Sequence, residues 1–312
     1  LMEWAGKRVF VTGGAGFIGS HLSAQLLSLG AHVTVIDDLS AGDMERVPNG
    51  VSIIEGCITD SASLSNGMQG CDAIFHLAAI ASVPLCEADP AWSDKVNLQA
   101  SLEIISTANC PVIFASSAAI YGEPVEIPIT ENHPITPVGY YGHQKAAIDA
   151  TICSLGSQST PASALRFFNV YGAGQDPSSQ YSGVLSIFIE RASTGGHITI
   201  FGDGEQTRDF IHVSDVVQAL LLVGSSLLDD GVSSPAHASA FNICTGSPVT
   251  LNEVVEVISS QVGREVTVAY EDGRDGDIKH SSGDSTKLQS TFDWRPETSL
   301  TDGLSSLISQ SN

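Results

Sequence analysis

The chain has 312 residues, 42% of them apolar and only 15% charged, so it can fill a large core without disulfides or metal. Thirteen basic residues stand against 35 acidic ones, a formal charge of −22, and such a surface repels nucleic acid phosphates and anionic lipid. Neither nucleic acid nor membrane is an expected partner; an acidic surface of this kind suits a saline habitat or is simply a soluble exterior. The six cysteines, Cys57, Cys71, Cys86, Cys110, Cys153 and Cys244, show no C-x-x-C or Cys/His ligand spacing. They read as buried thiols of a reduced cytoplasm, with no structural metal. No apolar run near 18 residues stands out, and strand-like sequence begins by Lys7, so neither a membrane span nor a signal peptide is expected.

In chain order, Lys7–Thr12 reads as a buried strand and Phe17–Leu29 as a helix with Ile18, Leu22, Leu26 and Leu29 on one face. His32–Asp37, Val51–Glu55, Ala73–His76, Val112–Ala115 and Ala162–Phe167 read as further strands. Helices are predicted between them, notably over Pro90–Thr107 and Tyr141–Ser154. Strands alternating with helices imply a parallel sheet covered on both faces. After Asn169 the pattern changes to a turn-rich loop, Gly172–Gly183, a helix over Val184–Ser193, and short strands among glycines. Gly224–Ala240, rich in Ser, Asp and Gly, reads as a mobile surface loop.

Gly13-Gly14-Ala15-Gly16-Phe17-Ile18-Gly19 leaves the first strand and opens the first helix. Gly13 permits the tight turn, Gly16 lets backbone approach a pyrophosphate at the helix N-terminus, and Gly19 allows helix to pack on strand. Asp37 ends the second strand 18 residues beyond Gly19, where an acid accepts hydrogen bonds from ribose hydroxyls and repels a 2′-phosphate. Asp38 rather than an arginine follows it, which favours NAD over NADP.

Tyr141 and Lys145 lie four apart at the start of a predicted helix, and residues i and i+4 share a face. An ammonium beside a phenol lowers the phenol's pKa toward neutrality, so Tyr141 is expected to act as a base. The same spacing also occurs on ordinary helix surfaces. Upstream, the strand over Val112–Ala115 runs into Ser116 and Ser117, at the sheet edge where α/β sites form, and hydroxyls there can hydrogen-bond a substrate hydroxyl. Two of only eight arginines, Arg208 and Arg274, sit amid glycine and aspartate, a setting that suits bidentate phosphate binding.

Taken in order, G-G-A-G-F-I-G, the aspartate after strand two, H-L-A-A (His76–Ala79), S-S-A-A-I-Y-G, Y-G-H-Q-K, R-F-F-N-V-Y-G (Arg166–Gly172), R-D-F-I-H-V-S-D (Arg208–Asp215) and R-D-G-D-I (Arg274–Ile278) make the chain resemble the extended short-chain dehydrogenase/reductases. Within that superfamily it is similar to the NAD-dependent UDP-hexose 4-epimerases. The resemblance implies a Rossmann-type doubly wound parallel sheet with a smaller C-terminal α/β lobe. Residues 1–168 would bind NAD and 169–312 mainly the nucleotide sugar, with some segments returning to the first domain. It implies Ser117 and Tyr141 as the catalytic pair, with Lys145 on the nicotinamide ribose. Around NAD it implies Gly13, Gly16, Phe17, Ile18, Gly19, Asp37, Asp38, Ser40, Gly42, Cys57, Ile58, Leu77, Ala78, Ala79, Asn97, Ala115, Tyr141, Lys145, Phe168 and Val170. Around a UDP-sugar it implies Ser82, Val83, Asn169, Gly183, Val184, Ile200, Arg208, Arg274, Asp277 and Ser281, with Gln175–Gly183 and Ile200–Gly202 bordering the diphosphate and base. It further implies a cytoplasmic homodimer whose four-helix interface uses Pro90–Thr107 and Tyr141–Ser154, where Ala146, Ala147, Ile148 and Ile152 suit close packing.

Related dehydratases and decarboxylases carry an acid just after the position of Ser117, whereas Ala118 and Ala119 stand here. Reversible oxidation at C4 is what remains. A 4,6-dehydratase, a UDP-glucuronate 4-epimerase and a non-catalytic NAD sensor are the alternatives. Serine at Ser281 leaves room for an N-acetyl group, and Gln175–Ser179 is similar to epimerases of UDP-N-acetylhexosamines, which favours UDP-GlcNAc/UDP-GalNAc, with UDP-glucose/UDP-galactose close behind. Cys57 replaces the acid that the family often uses for the adenine amino group. Adenine is then left to backbone groups or Asp60, and weaker NAD retention is expected.

Overall fold

The computed structural model describes residues 4–175, 177, 183–273 and 278–310. The apolar run after Lys7 forms β1 (Arg8–Thr12), buried over its last four residues. Glycines turn the chain into α1 (Phe17–Ser28), which buries Gly19, Ser20, Leu22, Ser23 and Leu26 at helical spacing. Then come β2 (His32–Asp37), β3 (Ser52–Glu55) and α2 (Ser61–Met68), whose N-cap Asp60 accepts the Ala62 N–H. Strand β4 (Ala73–His76) is buried at every position, the pattern of a strand covered on both faces. Helices α3 (Val83–Ala88), α4 (Pro90–Asp94) and α5 (Ala100–Thr107) follow. The helix expected over Pro90–Thr107 is present, but with a π-helical stretch, Lys95–Gln99, between α4 and α5. β5 (Val112–Ser117), α6 (Gly139–Cys153) and β6 (Ala162–Phe167) come next.

Beyond β6 the elements shorten. They are β7 (Asn169–Tyr171), α7 (Val184–Thr194), β8 (Ile198–Phe201), β9 (Thr207–Arg208) and β10 (Phe210–His212), then α8 (Val213–Asp230) and β11 (Ser239–Ile243). The C-terminal part holds β12 (Val249–Thr250), α9 (Leu251–Val262), β13 (Val268–Glu271), α10 (Thr286–Phe292) and α11 (Leu300–Gln310). A reciprocal capping box starts α9, where Thr250 accepts the Glu253 N–H and the Glu253 carboxylate accepts the Thr250 N–H.

Two expectations about this stretch are corrected. Gly224–Ala240 is not a loop: α8 runs to Asp230, a 3-10 turn covers Gly231–Ser233, and β11 begins at Ser239. Its small polar residues are used internally, with Ser226 and Ser234 hydroxyls 2.7 Å apart and Leu227 and Ala236 fully buried. The stretch Val213–Ser233, with a mean hydropathy of 1.3, is also long and apolar enough by composition to cross a membrane, contrary to the sequence reading. In the fold, Val216, Ala219, Leu220, Val223 and Leu227 are buried in protein, as in the core helix of a globular domain.

The main sheet has seven strands in the order β11-β6-β5-β4-β1-β2-β3, and β1 to β6 pair in parallel. It is the Rossmann-type arrangement. By contact the chain divides into two units, one of residues 1–122, 134–167 and 217–241, the other of 123–133, 168–216 and 242–312. In the first, Phe10, Ile36, Ile74, Ile104, Phe114, Ile148 and Ile152 share a core with the sheet at its centre. In the second, Phe188, Ile198, Ile200, Phe210, Val254, Ile258 and Leu304 form another. Ile148 and Ile152, suggested for an interface, therefore pack inside their own unit.

Candidate active site

In the first unit the strand order reverses at β1, with β4 on one side and β2 on the other. The crevice at the carboxyl ends of such strands is where α/β folds bind ligands. Gly13 turns there with φ +71°, and a Cβ on it would stand 2.8 Å from the Ala78 nitrogen, so the loops after β1 and β4 close on each other only with glycine at this place. A Cβ on Gly19 would overlap the Gly13 carbonyl oxygen. Gly16 is the N-cap of α1 and has no capping side chain. The first-turn N–H groups at Phe17 and Ile18 are thus presented to an external anion.

Asp37, 8% exposed, accepts the Ala15 N–H on Oδ2 and the Leu39 N–H on Oδ1, both at 2.9 Å. Burial raises its pKa against the pull of those bonds. Asp38 accepts the Ser40 N–H at 3.0 Å and the Ser40 hydroxyl at 2.6 Å, while Gly42 packs on the Asp37 carboxylate. After β3, Ile58 is buried and the Cys57 sulfur accepts the Thr59 hydroxyl at 3.2 Å. Asp60 turns both oxygens to α2, accepting Ala62 N–H at 3.3 Å and the Ser63 hydroxyl at 2.6 Å.

The loop after β4 is held from behind. Thr12 Oγ1 accepts the Leu77 and Ala78 N–H groups at 3.2 and 3.1 Å and lies 2.7 Å from His76 Nδ1. His76 Nε2 lies 2.8 Å from the Ser101 hydroxyl, and burial, with Lys145 adding to it, pushes its pKa down to about 3. A neutral imidazole here is a structural tie. Asn97 sits in the π-helical stretch, a feature often found at sites. Its Oδ1 accepts the Ile80 N–H at 2.8 Å, and its Nδ2 donates to the Ile80 carbonyl at 3.1 Å and to Gln144 Oε1 at 2.9 Å. These bonds fix the segment after Ala79. Ser82 caps α3 and is buried, whereas Val83 is exposed.

The adjacent serines at the end of β5 diverge, as side chains on a strand must. Ser116 points inward and donates to Asp149 at 2.7 Å. Asp149 is gripped by Arg166 in a buried bidentate pair, 3.0 Å from Nε and 2.7 Å from Nη2, and Arg166 Nη1 donates to the Tyr121 hydroxyl at 2.9 Å. This network fastens α6 to β5 and β6. Sequence reading passed over it, although an arginine in the apolar run of β6 was a signal. Ser117 points the other way, accepts the Ala119 N–H at 3.1 Å and draws the Tyr141 pKa down.

Lys145 donates to the Ala115 carbonyl at 2.7 Å, and its Nζ is 4.6 Å from the Phe114 ring centroid and 5.9 Å from that of Tyr141. The expected lowering of the Tyr141 pKa is corrected here. Burial pushes the phenol up to about 12, against the pull of Ser117, and burial pushes the Lys145 ammonium down to about 7. The i,i+4 spacing puts both on one face, but the amine reaches back to the strand rather than to the phenol oxygen.

In the second unit, β7 and β10 pair with Asn169 opposite Phe210, and the Asn169 N–H donates to the Asp209 carbonyl at 3.1 Å. The Phe168 N–H donates to the Ile243 carbonyl, and the Val170 carbonyl accepts Gln175 Nε2 at 3.2 Å. Arg208 donates to the Thr207 carbonyl at 2.9 Å. Ser281 is brought beside β9 because its N–H donates to that same Thr207 carbonyl at 3.1 Å. Gly183 and Val184 start α7. Ile200 is buried in this unit's core, since alternation along β8 turns it inward and leaves Thr199 and Phe201 on the open side. Arg274 and Asp277 lie outside the described residues. Asp209 was missed from sequence: fully buried, it accepts the Thr245 N–H and hydroxyl at 2.8 and 2.7 Å, the Gly246 N–H at 2.9 Å and the Gly283 N–H at 3.2 Å.

The NAD dependent epimerase/dehydratase family model matches residues 9–243. The chain belongs to that family. A putative UDP-glucose 4-epimerase of Methanocaldococcus jannaschii is 31% identical, over 96% of this chain and 97% of its own. The solved UDP-glucose 4-epimerase of Thermotoga maritima, with UDP-glucose, superposes at a TM-score of 0.89 with 34% identity, covering 97% of each chain. A UDP-N-acetylglucosamine 4-epimerase of Methanobrevibacter ruminantium, in complex with UDP-N-acetylmuramic acid, gives 0.88 and 35%, covering 98% of this chain and 99% of that one.

NAD is the cofactor of this epimerase/dehydratase family, and the residues present fit it. The uncapped start of α1 suits the pyrophosphate and Asp37 the adenosine ribose, since a carboxylate holding one N–H on each oxygen still has lone pairs for hydroxyls. Lys145, a short reach from the Ala115 carbonyl, suits the second ribose.

Proposed function

We propose that this chain interconverts UDP-sugars that are epimeric at C4, with UDP-GlcNAc/UDP-GalNAc as the preferred pair and UDP-glucose/UDP-galactose as the runner-up. One observation carries the reading: Ser117 at the end of β5 stands by Tyr141 and draws its pKa down, and it is followed by Ala118 and Ala119 in a 3-10 turn with no acid in it. Such a pair can move one hydroxyl proton but offers no second acid to expel water or guide loss of a carboxylate. Tyr141 takes the 4-hydroxyl proton and Ser117 hydrogen-bonds the same oxygen. Bound NAD supplies the acceptor and donor of hydride at C4 and, when oxidised, a positive charge that favours the phenolate. The 4-keto sugar turns over in the pocket, and Tyr141 returns the proton to the epimer. Lys145 favours the phenolate to the extent that it keeps its own proton. The preference for an N-acetylated sugar rests on the resemblance at Ser281, where a serine would admit an acyl group at C2 that a tyrosine would exclude.

The reading is tested by supplying UDP-GlcNAc and UDP-glucose separately, without added reductant, and assaying each for its C4 epimer. Faster epimerisation of UDP-GlcNAc is expected; no epimer from either would sink the proposal. A homodimer through Pro90–Thr107 and α6 rests on Leu102 and Ala147, which are exposed on those helices, and sedimentation equilibrium reads it directly.

A further inference from the structure

Two cysteines meet at the edge of the sheet opposite the glycine turn. β4 and β5 pair with Ile74 opposite Val112, and the segments leading into them bring Cys71 and Cys110, 39 residues apart, to 3.2 Å between sulfurs. Adjacent strands lie about 4.8 Å apart, within the roughly 4.4–6.8 Å separation of Cα atoms that a disulfide spans. Backbone bonds already fix both segments: Ile74 N–H to the Pro111 carbonyl at 2.8 Å, Asp72 N–H to the Arg8 carbonyl at 2.7 Å, and Cys71 N–H to the Met68 carbonyl at 3.3 Å. The sulfurs can therefore approach by side-chain rotation.

The two thiols are unlike. Cys71 is half-buried, and the hydrogen bond with Cys110 lowers its pKa against burial and the neighbouring Asp72, while its thiol also lies 3.1 Å from the Met68 carbonyl. Cys110 is buried, and that hydrogen bond and its burial push its pKa up. The half-buried sulfur is the one an oxidant can reach and the buried one lies behind it, the arrangement of an attacking and a resolving cysteine. Cys86 and Cys244 are buried with raised pKa values, and Cys153 is exposed with its thiol turned to Asp149 Oδ1 at 3.8 Å.

We propose that Cys71 and Cys110 are a site of reversible oxidation, which a hydroperoxide converts into an intramolecular disulfide joining the starts of β4 and β5. The Cys71 thiolate attacks one oxygen of hydrogen peroxide, the O–O bond breaks, and the departing hydroxide is protonated to water, leaving a sulfenic acid on Cys71. The Cys110 sulfur, losing its proton, attacks the Cys71 sulfur; the S–O bond breaks and a second water leaves. Two thiols and one hydrogen peroxide give one disulfide and two waters, sulfur being oxidised by two electrons and the peroxide reduced by two. The chemistry lies at the N-terminal ends of strands whose C-terminal ends carry His76 and Ser117, so turnover is expected to be unaffected.

The test is to treat the full chain, with its bound nucleotide, with one equivalent of hydrogen peroxide, then alkylate, digest without reduction and map by mass spectrometry. The expected result is a cross-link between the Cys71 and Cys110 peptides, a protein roughly 2 Da lighter by loss of two thiol hydrogens, and reversal by dithiothreitol. Closing this loop should also raise the unfolding midpoint by a few degrees. In Cys110→Ser the sulfenic acid on Cys71 should persist and be captured by dimedone, whereas in Cys71→Ser the thiol of Cys110 should stay alkylatable. Oxidation at Cys57 or Cys153 with both Cys71 and Cys110 still alkylatable would overturn the proposal, as would dimedone capture at Cys110 rather than Cys71.

Discussion

The two units hold their chemical groups in different ways. In the first, each group has its own support from a long parallel sheet: Lys145 has the Ala115 carbonyl, Asp37 has two backbone N–H groups, and the loop after β4 has Thr12 and Asn97. In the second, Asn169 and Arg208 stand on strands of three and two residues, and one buried carboxylate, Asp209, ties Thr245, Gly246 and Gly283 together. Chemistry that needs fixed geometry sits on the redundant scaffold. In the second unit the loss of a single group is felt widely.

The largest expected effect is on the chemistry of the first unit. Tyr141→Phe should lower turnover by on the order of 10³-fold while the NAD content of the purified protein stays unchanged, because the ring and the Lys145 contact with the Ala115 carbonyl remain. Loss of NAD along with turnover would show that the two functions are not separable. In the second unit, Asp209→Ala should lower stability by on the order of 3 kcal/mol, since several buried donors lose their acceptor at once. Urea unfolding would measure this, and a change under 1 kcal/mol would mean that Asp209 is not the hub. Lys145 gives a pH signature. Its native pKa, near 7, is below its ordinary value of 10.5, so below pH 7 both states hold the proton and burial of the ammonium costs its full penalty. As pH rises from about 7 toward 10 the native state sheds the proton first, and stability should climb by at most ~1.4 kcal/mol per pH unit. Lys145→Met should flatten that climb.

Much of this contrast was legible in the sequence, for reasons that also explain the errors. β2, β4 and β6 coincide with their predicted ranges because buried parallel strands are short apolar runs bounded by turn formers. The π-helical stretch at Asn97 was invisible because one widened turn barely alters an apolar pattern. Gly224–Ala240 was misread because composition counts serines without showing which are bonded to one another. The inward turn of Ile200 and Ser116 follows a rule that was at hand, the alternation of strand side chains. The Asp209 partners lie 36 to 74 residues away, and no local pattern carries such pairings. The Tyr141 pKa was misjudged because spacing fixes a shared face but not where a flexible amine ends or how dry the phenol is.

Two smaller effects probe specificity in each unit. Ser281→Tyr should fill the space beside β9 and shift preference from UDP-GlcNAc toward UDP-glucose by about 10-fold in kcat/KM. An equal loss for both substrates would place Ser281 away from C2. The smallest effect concerns Cys57 at the end of the adenosine site. Its thiol is a weak acceptor already used by the Thr59 hydroxyl, so this side chain is poorly suited to the adenine amino group. Cys57→Asp adds a strong acceptor and should slow NAD loss during dialysis a few-fold, which is ~1 kcal/mol. If the unaltered protein keeps NAD at full occupancy through extensive dialysis, the pyrophosphate and ribose contacts of the first unit suffice, and its redundancy extends to the cofactor.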